Sequence, residues 1–226
     1  MKLGRPNGAV AAFSILFAVP LAGTPVVAQG GLEAARRAAF PHGTHIAEGE
    51  EIRRFDTHRL VDTPFGPVLV SEGYIEMGSH ATPGVIAVHY LRPNGTGFAV
   101  RRAFPTAVEN GSQGDMSEWR ISRQFTDLPA IYTEGGGTWQ GYTCMVATLT
   151  ELRPEGPVQT AVIPISYENE GAVGTRRARR FEGRIANIRR GGSFDVIFTG
   201  SARFTEHYVY RGGRFVRTTR ESRASC

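Results

Sequence analysis

The sequence predicts an all-β protein, antiparallel throughout, with one short helix near its start. Three observations carry this. From Phe55 onward, short apolar runs are separated by Gly, Pro, Asn and Asp, the punctuation of strands and tight turns. Aromatic residues Phe55, Trp119 and Phe181 stand 64 and 62 residues apart, and each opens a similar succession of runs. The runs are also short, too short for helices that must bury a 3.6-residue stripe.

In each unit the opening aromatic leads to a β run ending in a small hydroxyl residue and a Gly turn. These are 67–73, 129–135 and 195–200. A third run follows at 85–91, 144–149 and 207–210, and a glycine turn with a fourth run closes the unit at 95–98, 156–158 and 212–215. The plan is therefore three quasi-repeated four-strand meanders, about 55–105, 119–166 and 181–218, within a single domain over 55–226. An isolated four-strand sheet is marginal in water, so the three must pack together. The packing is propeller-like or a sandwich, with a β-trefoil-like arrangement as the alternative. Residues 85–91 and 145–149 are apolar at successive positions, which predicts central strands covered on both faces. Phe194, Val196 and Phe198 alternate with Asp195, the pattern of a half-buried strand. Pro164 lies inside an apolar run and marks an edge.

The first 28 residues read as a secretory signal. Lys2 and Arg5 precede an apolar stretch, and Val26-Val27-Ala28 before Gln29 meets the small-residue rule for cleavage. Pro20 and Pro25 interrupt a span already short of the roughly 20 residues of a membrane helix. A periplasmic or secreted location follows, with no membrane span once the signal is removed. Residues 29–54 form a lead-in segment in which 32–40 can be helical, with Leu32, Ala35 and Ala39 on one side and Pro41 ending it. Cys144 and Cys226 are the two cysteines, an even count in an oxidising compartment, so they are expected to pair.

The formal net charge is +5 and falls to +3 without Lys2 and Arg5, too mild for nucleic acid. Its distribution is uneven. Residues 29–169 hold 11 Arg and 16 acids, and residues 170–226 hold 13 Arg and 5 acids. Within a turn-rich stretch, 168–180, the cluster Arg176, Arg177, Arg179 and Arg180 predicts an exposed basic loop. Arg211, Arg214, Arg217, Arg220 and Arg223 recur every third residue, a spacing that alternates faces on a strand and reads as a solvated tail.

No nucleophile elbow, phosphate-cradling loop or zinc-protease helix is present. Nothing calls for a cofactor. His42 and His45, with Glu48 or His58, have loose metal-ligand spacing, but a solvated loop accounts for them better than a site needing three or four converging ligands. His89 falls in a buried-type strand and reads as a hydrogen-bonded core histidine. Glu72 and Glu134 hold equivalent places in the first two units, and two such carboxylates could act as the acid and base of a glycosidase. Tyr132 to Cys144, with three consecutive glycines followed by Trp139 and Tyr142, is the best candidate binding surface. Flat aromatics on a bend stack on sugars or peptide side chains, and pointing inward they would be core anchors instead. Glu134 belongs to the same stretch.

Residues 194–216, Phe-Asp-Val-Ile-Phe-Thr-Gly and then Tyr-Val-Tyr-Arg-Gly-Gly-Arg-Phe-Val, resemble one repeat of the FG-GAP or VCBS type found in secreted β-propellers. The Asp-x-Asp-x-Asp-Gly calcium loop of those repeats is missing, so the resemblance implies no calcium. The mature layout also resembles small exported proteins of Gram-negative bacteria, which implies a periplasmic home and no activity. The expectation is a non-catalytic envelope protein that binds a glycan, anionic ones included, a peptide or a periplasmic protein. The alternative is a polysaccharide hydrolase acting through Glu72 and Glu134.

Overall fold

The computed structural model describes residues 26–48, 51–219 and 222–224. The proposed signal therefore lies outside the described residues up to position 25. A helix, α1 (Val26–Ala39), is followed by β1 (His45–Glu48), β2 (Glu51–Thr63), β3 (Gly66–Ile75), β4 (Gly84–Asn94) and β5 (Gly97–Asn110). Next come β6 (Glu118–Ser122), β7 (Ala130–Trp139), β8 (Tyr142–Arg153) and β9 (Gly156–Glu168). A short helix, α2 (Glu170–Val173), leads to β10 (Arg180–Arg189), β11 (Ser193–Gly200), β12 (Phe204–Arg211) and β13 (Arg214–Arg217). The protein is mostly antiparallel β, and α1 starts six residues before the helix read from the sequence. No helix among the described residues is long and apolar enough to cross a membrane.

The strands follow one another in two meandering sheets, β1 to β5 and β6 to β13. The strands β2–β5, β6–β9 and β10–β13 occupy the three stretches read as units. The second and third are joined, because β10 bonds to the end of β9 at Phe181↔Tyr167 and its two neighbours. Pairing stops there, and the remainder of β10 to β13 folds back over β7 to β9.

Burial follows the two-residue period of each strand. Leu69, Ala87 and Leu91 face α1, which covers them with Ala35 and Phe40. Val68, Val70, Ile86 and Val88 face the other way, onto Ile131 and Leu152 of the second sheet. That is why β4 is apolar at successive positions. The far face of the second sheet presents Tyr132, Leu149 and Ile163 to Phe181, Phe194, Phe198 and Phe215 of the folded-back strands. Each of these phenylalanines contributes about 1.5–3 kcal/mol by leaving water. Pro164 sits beyond the reach of β10 on β9, next to a register shift opposite Met145 and Val146.

Two expectations for polar residues change. His89 is buried, but its Nδ1 has no hydrogen-bond partner, because the ring is wedged edge-on against Phe40 at 5.0 Å. The C-terminal arginines are only partly a solvated tail: Arg211 and Arg214 are exposed, but two others find partners. Arg217 reaches the buried Glu206 at 3.6 Å, and Arg223 lies over the Phe204 ring at 4.7 Å, while Arg220 lies outside the described residues. Both neighbours lie on β12, the strand that precedes β13.

Candidate functional site

The β7–β8 hairpin projects beyond the sheet that carries it, and its sequence explains its shape. Gln140 and Gly141 both adopt positive φ, 49° and 82°, which makes a two-residue turn whose twist suits antiparallel strands. The turn sets Trp139 directly opposite Tyr142, and the Thr138 and Thr143 hydroxyls bond across the strands at 2.8 Å. The three glycines do different jobs. A Cβ on Gly135 would lie 1.8 Å from Asn110 Oδ1, and one on Gly136 would lie 1.9 Å from the Cys144 carbonyl oxygen. A Cβ on Gly137 would meet nothing within 4 Å. Two glycines therefore permit close packing, and the third leaves an open floor.

On one side of that floor is a mainly apolar groove of about 480 Å³, walled by Trp139, Tyr142, Val146 and Tyr167. A second groove of about 330 Å³, bounded by His80, Ala81, Gly111 and Ser112, shares Trp139 and the same glycines. Trp139 is 75% exposed, so it stands as a free blade between two recesses instead of anchoring the core. Cys144 lines the larger groove; Cys226 lies outside the described residues.

The basic loop meets this hairpin. A Cβ on Gly141 would come within 2.3 Å of the Gly171 carbonyl carbon, so the two backbones touch where both residues lack side chains. Asn169 closes the excursion at its base: its N–H donates to the Arg179 carbonyl at 3.2 Å, and its Oδ1 accepts from the Arg179 N–H at 2.6 Å. Arg176, Arg177 and Arg179 are exposed, and no ion pair engages them among the described residues. Arg180 differs, pairing with Glu182 at 3.1 Å and Glu168 at 3.9 Å.

The carboxylates do not join the site. Glu134 alternates with Gly135, Gly137 and Trp139, so it points to the other face of β7. There it accepts a hydrogen bond from the Tyr132 hydroxyl. Burial and that carboxylate push the Tyr132 phenol up, while the Arg120 guanidinium lies 3.7 Å over its ring. Glu72 shares a face with Val68 and Val70, between the two sheets. Glu134 shares its face with Ala130 and Tyr132, on the far side of the second sheet. A layer of strand thus separates the two acids, whereas a glycosidase needs both to flank one bond. Among the described residues no three His, Cys, Asp or Glu gather as metal ligands, and His58 Nδ1 meets the Ser71 hydroxyl at 2.9 Å beneath α1.

Sequence reading found Trp139, Tyr142 and the arginines but not Tyr167 or the glycine-to-glycine contact. Gly141 and Gly171, each next to a turn signal, were the available hint. Comparison with protein families, with curated proteins and with solved structures finds no match to this chain.

Proposed function

We propose that this protein is a non-catalytic binding module of the cell envelope, exported to the periplasm or beyond, whose hairpin groove takes a ring of an anionic glycan. The exposure of Trp139 on a rigid turn carries the reading. A large aromatic held in water beside an apolar recess gains by being covered. The apolar C–H face of a sugar ring matches an indole plane, and the hairpin loses little conformational entropy on binding. Arg176, Arg177 and Arg179, carried on the loop that touches the hairpin tip, supply partners for carboxylate or phosphate groups of the same chain. The separation of Glu72 from Glu134 favours binding over hydrolysis.

The export reading also supplies the redox setting in which Cys144, on the groove wall, pairs with Cys226. The three meanders are read as copies of one four-strand plan, each packed on its neighbour. The deciding experiment titrates acidic and neutral envelope oligosaccharides into the mature protein while following tryptophan fluorescence. Trp119 is half-buried under Arg59, so the responsive signal belongs to Trp139. Trp139→Ala is expected to remove the response and weaken binding about fivefold or more, given about 1–3 kcal/mol for a stacked ring. Undiminished binding by the variant would reject the groove as the site.

A further inference from the structure

The outer face of the folded-back strands carries a second polar constellation, away from the hairpin. We infer that it is an oxyanion site, taking a phosphate or sulfate group in a groove of about 410 Å³ lined by Asn187, Arg189, Ser193, Asp195 and His207.

The site is built rather than incidental. A register shift in β10 between Ala186 and Arg189 interrupts its pairing with β11, and within it Asn187 takes φ of 52°, unusual for a residue with a side chain. Bulges of this kind re-aim side chains. Here the result is that Asn187 Nδ2 donates to Asp195 Oδ2 at 2.8 Å. Directly across the ladder, His207 Nδ1 donates to Asp195 Oδ1 at 2.6 Å. Both carboxylate oxygens are thus engaged, and these bonds, that from Asn187 foremost, hold Asp195 below the usual carboxylate range. With Nδ1–H committed to Asp195, Nε2 is the remaining polar atom of an imidazole that lines the groove.

The surrounding charge selects the ligand. Arg189 is opposite Ser193, and Arg184 is opposite Ile197, on the same face as Asp195. Arg211 and Arg214 face each other across β12 and β13 on that face, an arrangement of like charges that is unfavourable without a counter-ion. These four arginines are exposed, and none has an ion pair among the described residues. The acids of the face are Asp195, already saturated, and Glu182, bound to Arg180. On the β13 side Thr218 donates to the His207 carbonyl. A tetrahedral oxyanion accepts from the Arg189 fork and the Ser193 hydroxyl together, beside the His207 ring.

The test uses isotope-labelled mature protein, with inorganic phosphate and polyphosphate as probes at constant ionic strength. Phosphate should shift the resonances of His207, Ser193 and Asn187 selectively. Arg189→Gln should weaken binding roughly tenfold, with thermal unfolding unchanged because its side chain is exposed. Trp139→Ala should leave it intact, which separates this site from the hairpin groove. Tighter binding of polyphosphate than of orthophosphate identifies a polymer that also spans Arg211 and Arg214, and equal binding identifies a small anion. Shifts spread evenly over all exposed arginines, or an Arg189→Gln protein that binds as before, would overturn the assignment.

Discussion

Acid should loosen the contact between α1 and the first sheet, and His89 sets the size of the effect. The residue is 7% exposed, its Nδ1 has no partner, and Phe40 of the α1 end lies against it. Burial, with a smaller push from His58, drives its imidazole down to about 4. In the unfolded chain a histidine titrates at about 6.5. A group depressed in this way contributes stability that is present above the unfolded value and lost as pH falls toward the folded one. The window is therefore about pH 6.5 down to about pH 4, and at about 1.4 kcal/mol per unit the loss reaches about 3 kcal/mol. His58 lies in the same seam and is lowered by burial first and then by Arg36, so it acts in the same sense. The assay is urea unfolding of the wild type and His89→Leu at about pH 7.5 and about pH 4.5. Between those conditions the wild type should lose about 2.5 kcal/mol more than the variant, whose leucine has nothing to protonate. Carboxylate titration is common to both proteins and cancels. Parallel loss in the two would refute the reasoning.

Three other outcomes follow from the same geometry. Gly136→Ala places a methyl against the Cys144 carbonyl and should destabilise by about 2 kcal/mol or more, whereas Gly137→Ala, in open space, should change stability by less than about 1 kcal/mol; thermal unfolding of the pair decides. Retention of the mature protein on an anionic matrix should fall steeply between low and physiological salt. It should fall further when Arg176, Arg177, Arg179 and Arg180 are changed together to Gln, with the first, second and third carrying the effect because Arg180 is already paired; unchanged retention would exclude the loop as a contact surface. A Cys144–Cys226 bridge would close a loop long enough to contribute roughly 4 kcal/mol in the chain-entropy model. Reduced protein should therefore run more slowly than oxidised protein on a denaturing gel without reductant, and equal mobility with two titratable thiols would sink the pairing.

Strand content and core alternation were legible along the chain because they are local. Val85 to Leu91, Phe194 to Phe198 and the glycine turns each obey a two-residue period or a turn rule readable from near neighbours. The aromatic hairpin was legible only in part: Trp139 and Tyr142 were read on a bend at the three glycines, whereas β7 runs through those glycines and the turn falls at Gln140-Gly141. What local pattern could not convey was which faces meet. Glu72 and Glu134 look equivalent by position in their runs, yet the side of the sheet each faces depends on how two sheets stack, and stacking puts a strand layer between them. Three bonds between β9 and β10 join the second and third meanders, and only their end in space lets the later strands fold back and bury Phe194. The touch of Gly141 on Gly171 and the Asn187–Asp195–His207 arrangement arise between turns and bulges on different strands. Periodicity tells where a side chain points relative to its own strand; long-range packing alone determines what stands opposite it.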